Sequence, residues 1–137
     1  MSRSDYNDDI DNWALIKYRG RVASATRGKR GQAMFKAMLA ALDAMPVKEL
    51  IDGALQEPGG QVCAFGALAH ARGVDVSKVD PENARAVAEV FDIAEPLARE
   101  VVFENDEGNW SSHNETPAQR WSRMCAWVDR QILKEPA

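Results

Sequence analysis

The sequence predicts an all-α fold: an irregular bundle of about six helices with short loops, formed by a single domain. Three observations carry this reading. Apolar residues recur at three- and four-residue steps along most of the chain. Capping residues and prolines stand where those stretches begin. The stretches between them are too brief to hold anything but turns.

Taken in order, residues 1–12 read as a flexible acidic tail and 13–137 as the helical domain. Asp11 or Asn12 can cap a short helix over 13–18 that ends near Gly20. Residues 20–31, with Gly20, Gly28 and Gly31, read as a loop. Met34, Met38, Leu42 and Met45, with Phe35 and Leu39 beside them, form one apolar stripe and predict a helix over 32–45. Pro46 ends it and can open a short helix through Val47, Leu50 and Ile51. Residues 57–60 form a turn. Residues 62–72 are apolar almost all round and predict a buried central helix, with Gly66 admitting a close neighbour and Gly73 as its C-cap; a strand over 61–65 is the rival for its first residues.

Asp80-Pro81 signals a helix start, followed by the stripe Ala84, Val87, Ala88 and Phe91. Asp92 and Glu95 can cap the next helix, with Pro96 in its first turn and Leu97, Ala98, Val101 and Val102 on its apolar side. Residues 104–109 read as a polar turn. Thr116, Pro117 and Gln119 spell a capping box before the stripe Trp121, Met124, Cys125, Val128 and Ile132.

Composition limits the function classes. Apolar residues at 45% and charged residues at 28% are ordinary for a globular domain. Two cysteines without a CxxC pattern suit a reducing compartment, and no apolar run approaches the ~20 residues of a membrane span. The polar, acidic start does not resemble a secretory signal, so the expected location is the cytoplasm, with no membrane contact.

The net charge of −4 is unevenly spread. Residues 1–12 carry −3; residues 13–42 hold seven bases and no acid; residues 43–137 hold nine bases and seventeen acids. Lys17, Arg19, Arg21, Arg27, Lys29 and Arg30, interleaved with glycines and close to Trp13 and Tyr18, are the candidate partner-binding residues. Arginine can hold a phosphate through two parallel hydrogen bonds, and unpaired cations attract polyanions in a salt-sensitive way. The same side chains could instead be neutralised by the acidic remainder of the chain. The stretch is not a phosphate-binding P-loop, because Arg30 rather than Ser or Thr follows Gly28-Lys29 and Ala23 stands where a glycine is required.

Other constellations are weaker. Cys63, His70, His113 and Cys125 would satisfy a zinc by number, but Cys63 and His70 on one helix would lie ~10 Å apart along its axis. Cys125 with His113 as a nucleophile pair lacks an orienting acid. Glu100, Glu104 and Asp106 offer oxygen ligands for Mg²⁺ or Ca²⁺, though without the spacing of an EF-hand. Trp121 and Trp127 read as core, whereas Trp110 in its polar surroundings either plugs the core or anchors a partner. No cofactor is expected.

The succession Arg27-Gly-Lys-Arg-Gly-Gln32, Leu42-Asp-Ala-Met-Pro46, Val62-Cys-Ala-Phe-Gly66, Glu104-Asn-Asp-Glu107 and Thr116-Pro-Ala-Gln-Arg-Trp121 resembles a group of small bacteriophage and prophage proteins, from about Trp13 to Ile132. The resemblance implies a phage or mobile-element setting, hence the host cytoplasm, and no assigned activity.

Three functional expectations follow. The first is a non-enzymatic binding module whose basic segment docks on nucleic acid or an acidic host protein, with Trp110 as an added anchor. The second is a small metal-assisted enzyme using Glu100, Glu104 and Asp106. The third is a homodimeric interaction protein, which an exposed Met34, Met38 and Met45 stripe would favour.

Overall fold

A computed structural model describes residues 12–108 and 114–134. The expected acidic tail up to Asp11, and Trp110 and His113, lie outside the described residues. Six helices follow one another: α1 (Asn12–Arg27), α2 (Lys29–Ala44), α3 (Ala64–Arg72), α4 (Ala84–Phe91), α5 (Glu95–Glu107) and α6 (Pro117–Gln131). The all-α reading holds; among the described residues the one β feature is an isolated antiparallel bridge between Gln56 and Val62, where a strand was the alternative.

The core is built around α2 and α3. Met34, Phe35, Met38, Ala41 and Leu42 bury one face of α2, and every residue of α3 from Ala64 to Ala69 is buried. Phe65 stacks on Phe91, 4.5 Å between centroids, and ties α3 to α4. Phe35 meets Trp127 edge-on at 5.6 Å and ties α2 to α6. Such pairs contribute about 0.5–1.5 kcal/mol beyond area burial. Helix α5 then packs against α1, α4 and α6, and α2 against α1, α3 and α6.

The largest departure from expectation is residues 20–31. They are not a loop: α1 continues through Gly20 to Arg27, and α2 starts at Lys29 after a corner at Gly28. Gly31 has a packing reason, because a Cβ there would fall 2.0 Å from the Ala25 carbonyl oxygen. Gly31 therefore lets the two helices meet tightly instead of marking an irregular segment. Gly66 behaves as expected, its α-carbon facing the Leu55 carbonyl, where a Cβ would sit at 2.0 Å.

Boundaries shift elsewhere for similar local reasons. No helix forms over residues 46–51; Leu50 N–H bonds to Pro117 O at 3.0 Å and Ile51 N–H to Val62 O at 2.9 Å, so tertiary partners claim those amides. Asp80 holds a turn by accepting from Glu82 N–H, and Asn83, not Asp80, caps α4 by accepting from Ala86 N–H. Asp92 ends α4 in a left-handed conformation (φ 54°) rather than starting α5, whose N-cap is Ala94. Residues up to Glu107 are helical, not a turn. The capping box at Thr116 and Gln119 is formed as the sequence indicates, with bonds of 3.1 and 2.8 Å.

Candidate functional site

Helix α1 differs from every other helix in having no buried residue. Leu15, Tyr18, Val22 and Ala25 lie half-buried along its inner side, a narrow stripe against α5 and α2. The Tyr18 hydroxyl lies 3.3 Å from Pro96 O and 3.4 Å from Glu100 Oε2, sharing its proton between them. The outer side of α1 faces solvent and carries Trp13 (64% exposed), Ile16 (60% exposed), Lys17, Arg21, Ser24 and Arg27.

All six basic candidates, Lys17, Arg19, Arg21, Arg27, Lys29 and Arg30, are exposed. Arg30 pairs with Asp92 at 3.2 Å, but both side chains are largely in water, where such a pair contributes little. Arg19 is close enough to Glu100 to lower that acid's pKa. Among the described residues, Lys17, Arg21, Arg27 and Lys29 have no carboxylate partner. Lys17 lies over the Trp13 ring, 5.1 Å from its centroid, a cation–π contact that steadies both side chains. Lys17, Gly20, Arg21 and Ser24 line a shallow, open depression of about 600 Å³ on this face.

The corner adds a second source of positive potential. Helix α2 opens with Lys29 and Arg30, has no acid in its first turn, and receives no side-chain cap from Gly28. Free amides and the positive end of the helix dipole therefore coincide with two cations. That combination places three sources of positive potential at one corner, offset in part by Asp92 beside Arg30.

The acidic candidates have partners within the protein. Glu100 receives the Tyr18 hydroxyl. Glu104 faces Arg123 at 3.5 Å. Asp106 accepts from Asn105 Nδ2 at 2.9 Å. Burial, then the charge of Glu104, pushes the Glu100 pKa up, while Tyr18 and Arg19 pull it back. Burial likewise raises Glu104 against the attraction of Arg123 and Arg130. Among the described residues, no three of His, Cys, Asp and Glu converge as a metal would require. Cys63 and Cys125 form no disulfide, and burial pushes the Cys125 thiol up to about 11, leaving it protonated at neutral pH. Met34 and Met38 are core residues and Met45 is half-buried, so the methionine stripe expected to favour a homodimer is spent on internal packing.

One cluster escaped the sequence reading. Arg120 is 5% exposed and donates to Leu50 O at 3.2 Å, with Glu115 Oε1 3.5 Å from its Nε. Arg123 grips the same Glu115 with two bonds of 2.7 and 3.0 Å, and donates to the Glu104 and Asn105 carbonyls at 2.6 and 3.1 Å. Asn105, 1% exposed, accepts from Ala64 N–H and donates to Ile51 O. This network fastens α6, α5, the start of α3 and the 46–63 connection together. A signal was present: Arg120 falls four residues before Met124 and eight before Val128, on the buried stripe of α6.

Comparisons with known proteins identify no relative: no family model, curated protein or solved structure matches this chain.

Proposed function

We propose that the chain is a binding module that engages a polyanion, nucleic acid or an acidic protein segment, through the outer face of α1 and the α1–α2 corner. One observation carries the reading: Lys17, Arg21, Arg27 and Lys29 stand exposed without a carboxylate partner among the described residues, although the chain as a whole is acidic. Separating cations from an excess of acids is electrostatically wasteful for folding and useful for attracting anions. The uncapped, cation-bearing start of α2 supports the same reading. The resemblance to phage and prophage proteins and the two cysteines without a disulfide fit work in a host cytoplasm.

Fluorescence anisotropy with labelled single-stranded DNA, duplex DNA and polyglutamate across a salt series tests this. Binding to at least one is expected at low salt, falling as salt rises; four phosphate contacts on a single strand correspond to a log–log slope of roughly −3. Reversing Arg21, Arg27 and Lys29 to Glu should abolish it. Flat titrations with every polyanion at low salt end the proposal.

A further inference from the structure

We infer that the polyanion is a single-stranded nucleic acid, held with a base stacked on Trp13 and its backbone along Lys17, Arg21 and the corner cations; this rests on the polyanion reading above. Charge alone would suit any polyanion, so the choice comes from the residues between the charges. Among the described residues Trp13 is the most exposed large apolar side chain, and Lys17 lies over its ring. An indole that is 64% exposed and held by a cation–π contact is a stacking platform that has already lost part of its side-chain freedom. One turn further along are Lys17 and then Arg21, and Arg27 closes the helix. Ten residues from Lys17 to Arg27 span about 15 Å along the axis, so cations spread over the outer half of α1 follow an exposed aromatic, the two ingredients by which single strands are bound without sequence preference.

Gly20 supplies a separate argument. Glycine inside a helix costs about 1 kcal/mol relative to alanine. Gly31 and Gly66 have tight packing that excludes a Cβ, but a Cβ on Gly20 would meet nothing within 4 Å. The fold does not need that glycine. Its bare backbone instead opens the depression between Lys17, Arg21 and Ser24, at the place where a strand leaving Trp13 would pass.

The other occupants fit less well. A duplex is read by a helix whose polar side chains enter the major groove, and here the large apolar side chains of Trp13 and Ile16 share the outer face with the cations. An acidic amphipathic helix docks in an apolar groove between ridges, whereas this face is a single convex helix.

The test is anisotropy with a labelled oligothymidylate of about 16 nucleotides, its duplex with oligoadenylate, and labelled polyglutamate, against the wild type and the Trp13→Ala, Trp13→Phe and Arg21→Ala variants. Trp13 is exposed, so its replacement leaves the fold intact, which circular dichroism verifies. The single strand should bind more tightly than the duplex. Trp13→Ala should weaken it about tenfold, Trp13→Phe should retain most of the affinity, and Arg21→Ala should weaken single strand and duplex alike. If Trp13→Ala binds as the wild type does, or the duplex binds as well as the single strand, stacking is overturned while the polyanion reading stands. If polyglutamate alone binds, the partner is an acidic protein and this inference falls. If nothing binds, both readings fall together.

Discussion

Two sets of arginines in this molecule have opposite fates. On α1, Arg21 and Arg27 stand in water with no carboxylate partner among the described residues. On α6, Arg120 and Arg123 are drawn inward, and their guanidinium groups meet Glu115, Glu104 and three backbone carbonyls. Both sets stand on helices. What separates them is the company of apolar residues: Arg120 shares a face with Met124 and Val128, which the core claims, while Arg21 and Arg27 share a face with residues that the core leaves outside. A buried cation must be compensated by opposite charge and hydrogen bonds, so the α6 arginines are committed to the fold. The α1 cations are not, and they remain available.

This contrast can be broken by mutation. Arg123→Met removes one half of a partly buried, doubly bonded pair and leaves Glu115 without it, so a loss of about 3 kcal/mol is expected in a denaturant titration. Gly66→Ala pushes a methyl group into the Leu55 carbonyl and should cost about 2 kcal/mol by the same measurement. Thr116→Ala removes the N-cap of α6 and should cost about 1 kcal/mol. At the other extreme, Arg21→Ala and Arg27→Ala should stay within about 0.5 kcal/mol of the wild type. If they destabilise the protein as Arg123→Met does, the distinction between committed and available cations is wrong. Gly20→Ala sharpens the comparison, since it should stabilise α1 by up to about 1 kcal/mol while weakening single-strand binding.

The docking of α1 also has a pH signature. The Glu100 pKa is raised in the folded state, so the native protein holds that proton more firmly than the unfolded chain does. The resulting stabilisation is present at acid pH and is lost as pH rises from the ordinary glutamate range through the raised value. Glu100→Gln keeps an acceptor for Tyr18 and removes this loss. The variant should therefore gain stability relative to the wild type as pH increases from about 4 to 7, followed by thermal melts across that range. A difference that does not change with pH contradicts a raised Glu100 pKa in the folded state.

The sequence made the helical class, the α2 and α6 stripes, the buried α3 and the Thr116 capping box legible, because each rests on local period or local chemistry. It misled at residues 20–31, where glycine density suggested a loop. Gly31 serves close approach between two helices, and that requirement exists only in three dimensions. The same holds for 46–51, where amides that a local helix would use are taken by Pro117 and Val62. The basic candidates were visible as a charge block, but not their continuity along a helix with Trp13 and Ile16 exposed beside them. The Arg120–Glu115–Arg123 network was hidden because nothing in the sequence says which partner a buried cation will find.

The most direct test of available against committed cations is amide chemical-shift mapping by heteronuclear NMR during addition of oligothymidylate at low salt. Perturbed amides should cluster between Trp13 and Gly31, with those of α6 around Arg120 and Arg123 unmoved. Perturbations centred on α6, or no perturbation anywhere at millimolar oligonucleotide, would contradict the account.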